Sequence, residues 1–325
     1  MLSRKNAFDL FDVAVVGGGP AGLSAALWSA RYRRSVLLVD GGRPRNRSTA
    51  ETHGYLCLDG APPASLAERA LADVLAYPEV TRAEHADVVD VVAADGLFEL
   101  GLADGRRVRA LRLVLATGVV DVFPQIDRFE EFYGTAVFTC PTCDGYEAQG
   151  KRVVAIGDDD RISGFALGLL DWASSVALIV EPDAAPVRSG ETDKVVAAGV
   201  EVIRGKALSL EGNDGVLRAV RLTDGSRVDC DVVFCTVRNE QHSELAARLG
   251  CAMSDEGCVL VDSDGQTSVR HVYAAGDMTP GPQLVQVAAA EGALAGIAAA
   301  LSLRGERGAP GSSRPAPEPD EILTG

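Results

Sequence analysis

VAVVGGGPAGLSAALWSARYRRSVLLVD, residues 13 to 40, is the stretch on which the fold turns. VAVVG is a short apolar run suited to a buried strand. PAGLSAALWSARY has helical periodicity, and SVLLVD is a second strand. Between the first strand and the helix, Gly17-Gly18-Gly19-Pro20-Ala21-Gly22 fits G-x-G-x-x-G, and Asp40 closes the second strand. Each glycine has a mechanical task. Gly17 allows the tight turn, Gly19 lets a pyrophosphate approach the backbone, and Gly22 lets helix and strand pack closely. The helix N-terminus then faces phosphate, and an acid at the position of Asp40 reaches an adenosine ribose. With strand, turn, helix and acid in register, the stretch reads as a dinucleotide-binding βαβ unit.

Outward from it, residues 41 to 65 are rich in Gly, Pro and polar residues and read as an irregular loop. A helix is expected at 65 to 77. Strands near 87–93, 96–103 and 106–110 form a meander, and LRLVLATG is a further buried strand. Residues 151 to 181 then repeat the opening: RVVAIG as strand, ISGFALGLLDWA as helix, SVALIVE as strand. A second meander follows, then the strand HVYAAGD and the Ala-rich helix VQVAAAEGALAGIAAALSL. Two nucleotide-binding-type modules in tandem are the strongest architectural signal. The expected fold class is α/β, with two Rossmann-like three-layer nucleotide-binding domains, the second inserted in the first. From Gly305 the chain is Gly/Pro/Ser-rich and acidic and reads as a disordered tail, 305–325.

An apolar fraction of 47% over 325 residues supports a substantial core. The net charge of −15 argues against nucleic acid and anionic membrane as partners. No window has the length of a charge-free membrane span and no signal-like apolar segment precedes the first strand, so a cytoplasmic protein is expected. Seven cysteines, an odd number, argue against a disulfide framework. Cys57, Cys230, Cys235, Cys251 and Cys258 read as ordinary buried residues. Cys140 and Cys143 differ because they form a C-x-x-C. No second pair with ligand spacing accompanies them, so no metal site is expected.

GGGPAG, then Ala116-Thr117-Gly118, then C-x-x-C-D-G, a second βαβ, Gly276-Asp277 and an Ala-rich last helix together resemble the low-molecular-weight thioredoxin reductases. The resemblance covers roughly residues 10 to 303. It implies a discontinuous FAD-binding domain at 1–121 and 246–304, and an inserted NADPH-domain-like module at 122–245 that carries the cysteines. It implies FAD as cofactor, held by Gly17, Gly19, Pro20, Ala21, Gly22 and Asp40, by Gly41, Arg45, Asn46 and His53 in the loop, by Val88, by Ala116, Thr117 and Gly118, and by Gly276, Asp277, Gln286 and Val287. A helix starting near Gln286 would aim its positive end at the pyrimidine side of the flavin. The resemblance also implies a homodimer and a thioredoxin-like protein or small dithiol/disulfide as partner.

By the same resemblance Cys143 faces the flavin, Cys140 attacks the outside disulfide, and Asp144 moves the proton of the departing thiolate. A close C-x-x-C at a helix N-terminus gives a thiolate its stabilisation. Asp144 could also simply cap a turn with Gly145. The segments DVFPQI and CDGYE resemble the gliotoxin- and holomycin-type dithiol oxidases, which pass electrons to oxygen but carry His after the second cysteine. A redox-silent flavin-binding sensor is the alternative of another class; it would show no thiol titration on flavin reduction.

The second turn departs from the family pattern. It keeps Gly157 but has Asp159 in place of the central glycine and Ile162 in place of alanine, with Asp158 and Asp160 added. The strand after it ends in Glu181-Pro182-Asp183, with no arginine cluster for a 2′-phosphate. One carboxylate ~4 Å from a phosphate costs about 4 kcal/mol at an effective dielectric near ~20. That is about a thousandfold in affinity. The expectation is a degenerate NADPH site, either a scaffold whose aspartates face solvent or the mark of another electron donor, such as ferredoxin, a deazaflavin or a second flavin.

Overall fold

The computed structural model describes residues 9–157, 161–181 and 191–304. They fall into two compact units, one drawn from 9–45, 64–120 and 240–304, the other from 46–63 and 121–239. The segment 46–63, read from sequence as a loop of the FAD-binding part, clusters with the second unit.

The first unit is built on a sheet in which Val80–Glu84, Val36–Asp40, Asp9–Val16 and Arg107–Leu115 lie side by side and parallel. The far edge of Arg107–Leu115 is shared. Its first half pairs antiparallel with Leu97–Leu102, and its last three residues pair parallel with Val272–Ala274. Val88–Ala94 completes the meander beside Leu97–Leu102. The two strands expected at 106–110 and in LRLVLATG are thus one strand. No turn-forming residue separates Ala110 from Leu111, and the hydrogen-bond ladder to Asp9–Val16 runs through the join.

Strand alternation sends side chains to both faces, and both faces are covered. Val13, Val15, Val36 and Leu38 pack under the helix Pro20–Arg31 and the helix Val285–Leu301. Ala14, Val16, Leu37 and Val39 pack with the meander on the opposite face. The two helices meet at their backbones: a Cβ added at Gly292 would lie 2.0 Å from the Ala21 carbonyl oxygen, and one at Gly296 would lie 2.4 Å from that of Ala25. The Ser29 hydroxyl donates to the Gly296 carbonyl across this contact at 3.2 Å. The small-residue composition of the last helix is therefore a packing requirement.

The second unit repeats the strand order. Its parallel sheet runs Glu201–Arg204, Ser175–Val180, Arg152–Ile156, Val232–Cys235, Val137–Phe138. Ala207–Asn213, Val216–Leu222 and Arg227–Asp229 form its own antiparallel meander. The helix after Arg152–Ile156, Ile162–Leu169, is shorter than the expected 162–173. Leu170 to Trp172 leave the helix through tighter turns, with the Trp172 N–H donating to the Leu169 carbonyl at 3.2 Å, and the Trp172 carbonyl accepts from the Gly150 N–H at 3.0 Å.

Candidate active site

In the first unit the turn after Val16 is as tight as its glycines allow. Gly17 adopts φ +119°, and a Cβ there would lie 2.1 Å from the Ala116 carbonyl oxygen. A Cβ on Gly22 would lie 1.8 Å from the Gly17 oxygen, so the helix sits directly on the strand end. Gly19 caps the helix with Pro20 behind it, and a Cβ at Gly19 would meet nothing within 4 Å. Open space at a helix N-terminus is what a pyrophosphate needs, so the residues present fit a dinucleotide.

Asp40 stands over this turn, only 8% exposed. A Cβ on Gly18 would lie 2.2 Å from its carboxyl group. Its Oδ1 accepts from the Gly42 N–H at 2.9 Å, and its Oδ2 accepts from Arg82 Nη2 at 2.5 Å. Gly41 lies beside Asp87, and Val88 packs on the core of the meander face. Ala116, Thr117 and Gly118 follow the strand next to Gly17, with Gly118 at φ +66°. Arg45 Nη1 donates to Asp277 Oδ2 at 2.8 Å and to Gln283 Oε1 at 2.7 Å. Gly276, at φ +83°, donates its N–H to Glu291 Oε2 at 2.8 Å, and the Thr279 hydroxyl reaches the same oxygen at 3.1 Å. Gln286 and Val287 lie in the first turn of the helix Val285–Leu301. Arg82, Gln283 and Glu291 were not singled out from sequence. They match no motif, and each is found only through its partner in the fold.

In the second unit Cys140 and Cys143 form a disulfide with sulfurs 2.07 Å apart. Cys140 caps the single-turn helix Pro141–Asp144, and its Sγ accepts from the Cys143 N–H at 3.1 Å. Asp144 N–H donates to the Cys140 carbonyl at 3.0 Å. Gly145 is obligatory here, since a Cβ would lie 2.4 Å from the Pro141 oxygen and 2.7 Å from the Trp172 ring. Burial pushes the Asp144 carboxyl up to about 6; the neighbouring Glu147 charge adds to the shift and His53 opposes it. A carboxyl with this pKa exchanges protons near neutrality.

Asp144 lines a cavity of ≈ 260 Å³ with Glu51, His53, Phe138, Glu147 and Lys151. His53, expected beside the flavin, lies in the second unit, with Nε2 3.5 Å from Glu147 Oε1 and 3.7 Å from Glu51 Oε2. Asn46 also belongs to the second unit, where its carbonyl accepts from the Thr49 hydroxyl at 3.0 Å. Of the other cysteines, Cys230 and Cys235 are buried, which pushes both thiols up to about 12. Burial also raises Cys251. Cys57, expected to be buried, is exposed: it sits in a loop turn at φ +71°.

The turn of the second module differs from that of the first. Asp158, Asp159 and Asp160 lie outside the described residues, as do Pro182 and Asp183. Around them, the helix begins at Ile162 rather than directly behind the glycine, and Ile162 is 2% exposed. A Cβ on Gly157 would lie 2.8 Å from Ile162 Cδ1, where the first module has backbone against backbone. Glu181, at the end of the following strand, pairs with Lys206 at 3.4 Å.

A family model described as pyridine nucleotide-disulphide oxidoreductase matches residues 11–292. The thioredoxin reductase tcpT of Claviceps purpurea is 32% identical over 279 residues, 83% of this chain and 87% of that protein. Among solved structures, a putative thioredoxin reductase TrxB from Bacillus anthracis superposes with a TM-score of 0.84 at 31% identity, covering 91% of this chain and 99% of that one. HlmI does so at 0.83 and 33% identity, covering 93% and 94%. The chain belongs to the pyridine nucleotide-disulphide oxidoreductase family and is an oxidoreductase. Within that family it is of the low-molecular-weight thioredoxin-reductase-like kind. Among the described residues no helix is long and apolar enough to cross a membrane.

Proposed function

We propose that this protein is an FAD-dependent dithiol/disulfide oxidoreductase whose working pair is Cys140 and Cys143. The observation that carries the reading is a C-x-x-C disulfide next to a half-buried carboxyl poised near neutral pH. FAD, when bound, supplies the two-electron carrier behind the disulfide, and the first-module turn, Asp40 and the Gly276-Asp277 turn would hold it. In the reduced pair, the Cys140 thiolate attacks a disulfide sulfur of the partner and expels one partner thiolate. Asp144 gives that thiolate its proton. Cys143 then attacks Cys140 Sγ, re-forming the internal disulfide and releasing the second partner thiol. Two electrons and two protons leave with the partner, a thioredoxin-like protein or a small disulfide. The protein acts as a cytoplasmic homodimer.

The electrons come from a donor other than NADPH. What supports this is Ile162, whose side chain fills the place where the first module brings helix and strand into contact, together with the three aspartates of the sequence between it and Gly157. Anaerobic titration of the oxidised protein with dithiol, NADPH, NADH and reduced ferredoxin in turn tests both parts. Bleaching by dithiol with none by millimolar nicotinamide is the expected result, and rapid bleaching by NADPH overturns the donor assignment. Hydrogen peroxide formed from dithiols in air would show that the pair runs in the oxidase direction suggested by the DVFPQI and CDGYE segments.

A further inference from the structure

Asp40 and Glu84 are register partners on adjacent parallel strands, so two carboxylates stand side by side at the sheet's carboxyl ends. Left alone they would repel each other and any pyrophosphate brought to the turn below. One side chain joins them. Arg82 precedes Glu84 by two positions, on the same sheet face. Its Nη2 reaches Asp40 Oδ2 at 2.5 Å and its Nη1 reaches Glu84 Oε1 at 3.0 Å. The Arg82 Nε is buried with no partner among the described residues, so the fork is held in place for the two acids at the expense of a third donor.

We propose that Arg82 is a positioning residue of the cofactor site: it holds the Asp40 carboxylate as a fixed acceptor for the adenosine ribose of FAD. The inference rests on the FAD assignment above. Each carboxylate oxygen of Asp40 has one partner, Arg82 or the Gly42 N–H, and a carboxylate oxygen has a lone pair to spare. The group is thus oriented over Gly18 with acceptor capacity left for a ribose hydroxyl. The guanidinium also cancels one of the two negative charges that an approaching pyrophosphate meets.

The consequence is confined to the adenosine half of the cofactor. Dissociation constants for FAD, ADP and FMN are measured on the full-length apoprotein by flavin fluorescence, with ADP as a competitor. Arg82→Ala should weaken FAD and ADP by about 10- to 100-fold, the span of one charge-assisted hydrogen bond, and leave FMN unchanged. Arg82→Lys, which keeps the charge and loses the fork, should recover part of the loss. In an Asp40→Ala background, Arg82→Ala should add little. Wild-type affinity for FAD in Arg82→Ala, or equal losses for FMN and FAD, overturns the proposal. A wild-type protein that binds neither FAD nor ADP overturns the FAD assignment itself, and the proposal with it.

Discussion

Asp144 sits in a folded environment that favours its proton, with a pKa raised from 3.8 to about 6 by burial first and by Glu147 second. The folded state therefore keeps a proton that the unfolded chain releases between those values. The contribution of Asp144 to stability is most favourable below the unfolded value, declines as pH rises through that window, and is fully unfavourable above about 6. Asp144→Asn should raise the melting temperature at pH 7.5, and the gain should vanish near pH 4. The same substitution should slow disulfide exchange and remove the pH dependence centred near 6, since the amide gives no proton to the leaving thiolate. A variant that keeps the wild-type pH profile would show that Asp144 only caps the turn with Gly145. The cysteines make a separate prediction. In the oxidised native protein a thiol reagent should modify Cys57 rapidly, while Cys230, Cys235 and Cys251 stay silent until unfolding, because they are buried and their thiolates disfavoured. Mild reduction should expose the thiols of Cys140 and Cys143. Either Cys140→Ser or Cys143→Ser should abolish turnover, and full exchange in both would make the pair structural. The C-x-x-C and Asp144 could be read from sequence because they are contiguous. The closeness of His53 and Glu147 could not be, since nothing in residues 46–63 reports which unit they join.

Among elements, the two helices that meet backbone to backbone test the packing account. The helix Val285–Leu301 meets the helix Pro20–Arg31 through Gly292 and Gly296 with no room for a Cβ. Gly292→Val must push these helices apart, and a destabilisation of about 1–3 kcal/mol is expected from overpacking, read by denaturant unfolding. Gly164, where a Cβ would meet nothing within 4 Å, is the control site for a tolerated Gly→Ala substitution. In the second module, Ile162→Ala should cost about 2–5 kcal/mol as a buried truncation. Even with Asp159→Gly added, it should gain little nicotinamide-driven reduction, because Asp158 and Asp160 persist and no arginine cluster follows Glu181. Stopped-flow absorbance under millimolar NADPH measures this. Element identities were mostly legible because a buried parallel strand followed by a glycine turn is a local signal. The continuous strand Arg107–Leu115 was not, because its first half serves an antiparallel neighbour and its second half a parallel one. A change of partner leaves no mark in the hydrophobic pattern.

For the molecule as a whole, the tandem repeat was plain in the sequence, since each half starts with strand, glycine, helix and strand. The division of the chain was harder to read. Four crossings, at 45/46, 63/64, 120/121 and 239/240, separate the two units, and the first pair falls in a stretch without periodicity. Arg112 illustrates the same limit. An arginine inside an apolar strand looks out of place, yet it is 1% exposed and binds the Ser302 hydroxyl at 2.6 Å and the Ser302 carbonyl at 2.9 Å, beyond the end of the last helix. That tie, like the contact of Gly292 with Ala21, joins residues far apart in the sequence, and this sets an order on synthesis. As the polypeptide leaves the ribosome, the second unit has all its strands once residue 239 has emerged. The first unit, begun earliest, must still wait for the helix Val285–Leu301. Until then the part of the apolar sheet face and of the helix Pro20–Arg31 that the helix Val285–Leu301 covers stays open, so the nascent chain is exposed to aggregation in the half that was made first.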